Sequence, residues 1–449
     1  MSQSHSPPTV SVPPAPARGP RTERGAQGAP PARPGSVKRL VGIVRSIFAG
    51  TPGTMRALGI VGVIACLLFG VFALLGLQAR SASIGDARTA ADQLVRIQNV
   101  QNNLVLADAN LTSGFLGGGL EPVAERTAYT DSMQAATTGL AAAAGADLRD
   151  AAKLGQVNGI VQRYTGLVEG ARANNRQGFP IGTAYLREAT SLLREKALPT
   201  LDSLSQTEQR RVKDAYDASA AATVWLVPAL IVCFLILLGI LGYLATRIRR
   251  LINVPIAVSA VIVLVAGIVG IGVMALAQSK ANDARNGAYL ATVRAAVART
   301  DGFDARSAEA LTLINRGSGA AYEERFKTLA ANATPVLAAL AGGGSSSEKA
   351  MRSTFAAYLA RHKQIRAKDD GGNWEGAVEL ATNPQGRAAF AAFDTASGRA
   401  LSESSGTLRS DLRSASRPLV PIGIALLAAG AIAAATCWWG ISIRLREYQ

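Results

Sequence analysis

The sequence predicts an all-α integral membrane protein, in which four transmembrane helices carry two tandem extracytoplasmic antiparallel four-helix bundles. Four charge-free apolar runs are each at least as long as the roughly 20 residues that a helix needs to cross a bilayer. Between them lie two long polar segments whose apolar residues recur at helical spacing, and no strand pattern competes. Hydrophobic residues make up 49% of the chain and aromatic residues only 5%, which is typical of a helical protein rich in Ala, Leu and Val.

The region before the first apolar run divides into two parts. Residues 1–36 contain nine prolines and are predicted to form a disordered basic tail. Residues 37–56 place apolar side chains on one face against Lys38 and Arg45, which favours an amphipathic helix on the inner leaflet; a frayed linker is the alternative. The other segments follow in order: span one at 57–77, bundle one at 78–220, span two at 221–245, a link at 246–251, span three at 252–277, bundle two at 278–417, span four at 418–441 and a tail at 442–449.

The distribution of Lys and Arg predicts the orientation in the cell membrane. Residues 1–56 carry eight basic residues and one acidic residue, whereas residues 80–220 carry 15 of each. Because short segments rich in Lys and Arg stay on the cytoplasmic side, both termini and the link are predicted inside, and both bundles outside. The net charge of +16 is therefore mainly a topology signal. Nucleic-acid binding is excluded, since the basic residues are spread over both sides of a membrane.

Glycine-rich breaks divide each bundle into four helices. In the first bundle they run from span one to about Phe115, over about 121–143, over about 148–173, and from about Thr183 into span two. The second bundle has breaks at 316–319, 342–345 and 369–372. Weak matches in the same order, such as Asp108 with Asp304 and Tyr164 with Tyr358, favour an internal duplication.

Two prolines fall within the predicted fourth helices. Pro199 and Pro384 each remove a backbone donor and favour a kink. They either mark bends only or convert a change in the bundles into motion of the spans. Arg247, Arg249 and Arg250 in the link are the basic groups that such motion would displace, so these five residues are the transmission candidates.

Residue types that carry catalysis are scarce, so the chain is predicted not to be an enzyme and to bind neither a metal nor a cofactor. Its two histidines are His5 in the tail and His362, which is flanked by Arg361 and Lys363 and is predicted to lie on a solvated helix face. The three cysteines all fall inside spans, so the bundles contain no disulfide.

Acidic residues in helix seams are the first candidates for ligand or partner binding. Asp108 lies in the inward seam of the first helix of bundle one, and Asp304 occupies the matching place in bundle two. A carboxylate in such a seam is costly unless it is paired. It has an arginine partner from another helix, it receives a ligand amine, or the helix ends early enough to leave it solvated.

The stretch "RANNRQGFPIGTAYLREA" at residues 172–189 is the second candidate, at the predicted far tip of bundle one. Asn174, Asn175, Arg176 and Tyr185 could present hydrogen-bond donors to a carboxylate ligand or to a docking protein, because arginine offers a planar fork suited to carboxylates. The alternative is an Asn- and Gly-capped turn, in which Gly178 and Gly182 adopt unusual dihedral angles and Pro180 stiffens the crossing.

The layout of span, outer helical bundle and span resembles the sensing half of bacterial chemoreceptors and sensor kinases. The closer resemblance is to the actinobacterial GlnX-type membrane proteins, with four spans, two helical outer domains and a tip like "NNRQGFPIGTAYLREA". It implies a sensor of amino acids such as aspartate and glutamate that acts with an extracytoplasmic solute-binding lipoprotein and signals to a cytoplasmic Ser/Thr kinase.

Together these features predict a non-enzymatic multi-pass sensor of the cell membrane that relays an extracytoplasmic cue. Its expected partners are the membrane, the lipoprotein, the kinase and a second copy in a homodimer. The alternative is an accessory or scaffolding subunit of a cell-envelope or transport complex.

Overall fold

A computed structural model describes residues 50–117, 120–178, 180–221, 226–248, 253–342 and 344–446. These residues are almost entirely helical and contain no β-strand. Contacts divide the chain into residues 1–56 and residues 57–449, and the packing described below belongs to the second unit. The predicted tail and most of the juxtamembrane segment lie outside the described residues, as do Arg249 and Arg250.

Among the described residues, the first half of the chain, up to Ile248, contains six helices, and the second half, from Asn253, contains seven. In the first half they are α1 (Gly50–Phe115), α2 (Val123–Ala146), α3 (Ala151–Arg176), α4 (Ile181–Leu192), α5 (Leu198–Ala221) and α6 (Leu226–Ile248). In the second half they are α7 (Val254–Ala284), α8 (Leu290–Ile314), α9 (Ala320–Ala341), α10 (Ser346–Asp370), α11 (Trp374–Thr382), α12 (Pro384–Ser416) and α13 (Leu419–Arg446). A π-helical turn joins α4 to α5 at Leu193–Ala197, and another joins α7 to α8 at Arg285–Tyr289.

Four stretches are long and apolar enough to cross a membrane, within Gly53–Phe115, Leu226–Thr246, Val254–Ile314 and Pro384–Ile443. The longest stretch covers 63 residues, which at 1.5 Å per residue is about three times the hydrocarbon thickness. Only the apolar part of each long helix therefore spans. These parts lie at the predicted spans, whose outward faces expose large apolar side chains such as Leu68, Leu75 and Val265. The prediction of a membrane protein with four spans is confirmed at this level.

Small residues bring the spans together. A Cβ atom on Gly430 would lie 2.8 Å from the carbonyl oxygen of Cys66 and 3.0 Å from the Cα atom of Gly70, so span four crosses span one backbone to backbone. Span three contacts span four through a hydrogen bond of 2.7 Å between the hydroxyls of Ser259 and Thr436. Such close crossings and polar contacts are what drive helix association in lipid.

The polar parts of the two halves share one core. Buried residues from α1 to α5, including Leu104, Tyr164 and Leu201, form a continuous cluster with residues from α8 to α12, including Phe303 and Phe393. Every residue of α8 from Gly302 to Leu313 is buried, so this stretch of the helix is enclosed on all sides. The breaks predicted in the first half agree with the helix order there, but in the second half α11 and α12 replace the single predicted fourth helix, and the two groups of helices share one core.

The helices α1 and α7–α8 pair in register along the junction between the halves. Arg80 donates to Gln278, Thr300 donates to Asn102 over 2.7 Å, and Ser307 donates to Asp108 over 2.7 Å. The paired residues are 198, 198 and 199 positions apart in the sequence. A constant offset requires the two helices to run parallel, with no change of register along this length.

The two prolines occupy different settings. Pro199 follows the first π-helical turn, in which the N–H of Leu198 donates to the carbonyl of Leu193, five residues back. Widening the helix there relieves the clash that a proline ring makes with the carbonyl four residues before it. The expectation that Pro384 lies inside a helix is wrong: it is the first residue of α12, and the Asn383 side chain caps that helix by accepting from the N–H of Gly386 over 2.8 Å.

Candidate functional site

Asp108 lies at the centre of a polar cluster inside the junction between the halves. Only 1% of the residue is exposed. Its carboxylate accepts hydrogen bonds from Thr190 over 2.8 Å and from Ser307 over 2.7 Å, and Tyr164 donates to it over 3.4 Å. Burial raises the pKa of Asp108, while the nearby Arg194 and the two hydroxyl groups oppose this rise. This burial rules out the alternative that solvent surrounds the Asp108 carboxylate.

Arg194, in the π-helical turn of the first half, connects this cluster to the second half. Its Nη2 atom lies 2.6 Å from Oδ1 of Asp304 and 3.8 Å from Oδ2 of Asp108, and it donates to Ser307 over 3.0 Å. Arg325 from α9 pairs with the other oxygen of Asp304. The structure thus brings Asp108 and Asp304 together, and Asp108 has the arginine neighbour that was one of the alternatives.

A cavity of about 400 Å³ opens beside Arg194, between α1 and α5 of the first half and α8 and α9 of the second. Its charged lining consists of Arg194 and Asp202 from the first half and Asp301, Asp304 and Arg325 from the second. Glutamine side chains, Ser205 and Thr300 complete the polar wall, and Pro199 also lines the cavity. Asp301 is 24 positions beyond Ala277, so at 1.5 Å per residue the cavity lies about 36 Å from the apolar spans.

Two carboxylates of the cavity have perturbed protonation equilibria. Burial raises the pKa of Asp301 to about 7, helped by the negative charge of Asp304 and, more weakly, of Asp202, while Arg325 opposes the rise. Burial also raises the pKa of Asp202, whose carboxylate accepts a hydrogen bond of 2.9 Å from Gln101. Perturbed acids in a polar cavity are typical of binding sites, although structural ion-pair networks show them too.

The stretch at 172–189 forms a tight turn between α3 and α4. Gly178 has a φ of +73°, as expected, but Gly182 does not have a positive φ. Glycine is needed at 182 for space, since a Cβ atom there would lie 2.9 Å from the backbone nitrogen of Asn175. Asn174 donates from its side chain to the carbonyl of Gly170 over 2.8 Å. The turn is therefore shaped by these backbone contacts.

The side chains of this turn differ in exposure. Arg172 is buried, pairs with Glu121 at 2.8 Å and lies 4.4 Å from the ring centre of Tyr129. Arg176 is exposed, Asn175 and Tyr185 are half-buried, and the Tyr185 ring lies against Gly170. The turn brings Asn174, Asn175, Arg176 and Tyr185 into one region. None of the four lines the cavity, and their role in binding stays a prediction.

The prediction that His362 lies on a solvated helix face is wrong. It is 4% exposed, and its ring stacks on Phe326 with the ring centres 3.4 Å apart. Its Nδ1 atom lies 2.7 Å from Oε2 of Glu309, and its Nε2 atom lies 3.3 Å from Oε2 of Glu323. Burial acts to lower the pKa of His362, but hydrogen bonds and charge from the two glutamates outweigh it and raise the pKa.

One acidic group has the spacing of a metal site. Asp147, Asp150 and Glu208 offer oxygens within 4.8 Å of one another, the one such group among the described residues. Arg211 contacts all three carboxylates, at 3.3 Å from Asp147 and 3.2 Å from Asp150. Burial and the charge of Asp150 raise the pKa of Glu208 to about 7. Since Arg211 already supplies the positive charge, we assign no metal to this group.

Comparison with known proteins identifies part of the chain. Residues 83–217 match the model of an actinobacterial sensor domain. This stretch begins beyond span one and ends before span two, and it includes Asp108, the turn at 172–189 and Arg194. No curated protein and no solved structure matches the chain. With four membrane-spanning stretches and a sensor domain, the chain is a membrane protein for which a sensing role is supported.

Proposed function

We propose that this protein is a non-enzymatic transmembrane sensor that perceives an extracytoplasmic cue and relays it to the cytoplasm. The observation that carries the proposal is the path of α1, which runs without a break from span one to the buried cluster around Asp108. This helix therefore connects the cluster rigidly to the membrane. The match to a sensor domain and the charge asymmetry of the sequence are consistent with this role.

The resemblance to the GlnX-type proteins supplies the finer proposal. The cue is an amino acid such as aspartate or glutamate, delivered by a solute-binding lipoprotein, and the output reaches a cytoplasmic Ser/Thr kinase. Arg176, exposed at the turn between α3 and α4, is the group best placed to contact an acidic surface on such a lipoprotein.

The experiment compares the wild type with Arg176→Ala and Asn175→Ala in cells challenged with aspartate or glutamate, with phosphorylation by the kinase as the readout. We expect both variants to lose the response. Arg176→Ala should do so with little change in melting temperature, because Arg176 is exposed and exposed polar substitutions usually cost less than about 0.5 kcal/mol. Gly178→Val is the structural control and should lower the melting temperature, since valine disfavours a φ of +73°.

An accessory or scaffolding role in an envelope or transport complex is the second candidate. The brevity of the link between α6 and α7, from Ile248 to Val254, favours it because the link offers little surface to an inner partner. A deletion strain that keeps the phosphorylation response but loses a co-purifying envelope complex would favour this candidate over the sensor.

A further inference from the structure

We infer that the cavity between the two halves binds a small organic cation. The inference adds a second ligand class to the proposed sensor, beside its amino-acid cue, and its biological meaning rests on that proposed function, but binding itself is measured without any signalling readout.

The lining of the cavity contains more acidic than basic side chains. The carboxylates of Asp108, Asp202, Asp301 and Asp304 lie in or beside the cavity, against the guanidinium groups of Arg194 and Arg325. Both arginines contact Asp304, and Arg194 also faces Asp108, so their charge is already shared. Among the described residues Asp301 has neither an ion-pair nor a hydrogen-bond partner. When all four carboxylates are ionised they exceed the two guanidinium groups by two negative charges, and a bound cation would offset this excess.

Two of the carboxylates that line the cavity have no ion-pair partner among the described residues and come from different halves. Asp202 lies on α5 in the first half and Asp301 on α8 in the second, and each lines the cavity. The negative charge of Asp202 contributes to the raised pKa of Asp301. A positive group between them would replace this repulsion by two attractions and would link the halves.

The spacing of the acids distinguishes an organic cation from a metal ion. Asp202, Asp301 and Asp304 do not form a group with ligand oxygens within 4.8 Å, whereas Asp147, Asp150 and Glu208 do. A volume of about 400 Å³ also falls within the range of small-molecule pockets, roughly 300 to 1,000 Å³.

Unpartnered atoms in the wall indicate which hydrogen bonds a ligand would make. Gln98 is 6% exposed, lines the cavity, and its Oε1 atom has no hydrogen-bond partner. That oxygen only accepts, so it suits the N–H groups of an ammonium ion. Arg325 Nε also has no partner and only donates, so an oxygen on the ligand would add a further hydrogen bond.

The test is a titration of the purified full-length protein, in detergent, with 1,3-diaminopropane, followed by calorimetry. The neutral counterpart 1,3-propanediol measures how much the ammonium charges contribute to affinity. The hydroxyl group of 1,3-diamino-2-propanol adds an oxygen that can accept a hydrogen bond from Nε of Arg325. We expect the diamines to bind and the diol not to. Asp301→Asn and Asp202→Asn should each weaken diamine binding at least about tenfold, the scale of a lost charge-assisted hydrogen bond. Asp214→Asn, an exposed acid on the same helix as Asp202, should leave binding unchanged.

A pH series sharpens the test. Because the pKa of Asp301 is about 7, binding should weaken as the pH falls from about 8 to about 6, and Asp301→Asn should remove much of that dependence. The inference is overturned if neither diamine binds, if L-glutamate binds in their place, or if Asp214→Asn weakens binding as much as Asp301→Asn. Diamine binding together with no phosphorylation response to aspartate or glutamate would uphold the site and count against the sensor. A response to glutamate that Asp301→Asn leaves intact, with no diamine binding, would overturn the site and uphold the sensor.

Discussion

Replacing Arg194 by methionine removes the charge that connects the two halves. Its guanidinium lies 2.6 Å from Asp304 and 3.8 Å from Asp108, and its side chain is 12% exposed, so solvent screens it little. Breaking a buried pair by removing one partner costs about 3 to 5 kcal/mol, because the remaining charge is left without compensation. For a domain of this size, 1 kcal/mol shifts the melting temperature by about 2 to 4 °C, so we expect a fall of about 6 to 20 °C in thermal unfolding followed by circular dichroism.

Two comparisons make this prediction refutable. Arg187→Met, at an exposed position on α4, is the matched control and should change the melting temperature little. Adding Asp108→Asn to Arg194→Met should recover part of the loss, because Arg194 is the one cation paired with Asp108 among the described residues, whereas Asp304 keeps Arg325. The penalty should also grow as the pH rises, since burial favours the neutral form of Asp108. If Arg194→Met shifts the melting temperature no more than Arg187→Met, the ion pair does not hold the halves together.

Three further outcomes are expected. The raised pKa of His362 gives a stabilisation that is present below about pH 6.5 and is lost as the pH rises through the folded-state pKa, so His362→Gln should lower the melting temperature more at about pH 5.5 than at about pH 8.5. Gly430→Leu should destabilise the packed spans in a detergent melt, because its Cβ atom would lie 2.8 Å from a carbonyl oxygen of span one; Gly272→Leu, where nothing lies within 4 Å, should not. In intact cells a membrane-impermeant thiol reagent should label Ser353→Cys but not Ser36→Cys, and labelling of both would contradict the predicted topology.

Local signals in the sequence predicted much of the helical order. The three glycines at 117–119 placed the end of α1 at Phe115, where the structure has it. Pro199 marked the place where the fourth helix departs from regular geometry, although proline spacing alone does not reveal a π-helical turn. Helix boundaries depend on residues close in the sequence, which is why they could be predicted.

The burial of His362 could have been predicted from the sequence. Neighbouring positions in a helix point about 100° apart, so the charges on Arg361 and Lys363 say little about the face that His362 occupies. Its own face is marked by Phe355, Tyr358 and Ile365, which lie seven and four positions before it and three after, and all are buried. Helical spacing of apolar residues on both sides of the histidine would have predicted its burial.

Contacts between the halves could not be predicted in this way. Arg194 and Asp304 are far apart in the sequence, and the polar residues of α8 gave no sign that the helix is enclosed on every side. A single sequence contains the charges but not their pairing, because pairing depends on how two groups of helices pack. The cavity lined by Asp202 and Asp301 is a product of the same packing.

The in-register pairing of the halves limits how the proposed sensor could transmit a signal. α1 and α7–α8 are joined near the spans by Arg80 and Gln278 and far from them by Asp108 and Ser307, so sliding one past the other would break contacts along their whole length. The α4–α5 segment meets the second half through Arg194, at a π-helical turn, and its Pro199 lines the cavity. Charge gained or lost in the cavity would therefore act first on α5, which precedes span two in the chain. Pro199→Ala should then leave partner binding at the turn between α3 and α4 intact while changing the response inside the cell, and an unchanged response would mean that α5 is not the moving element.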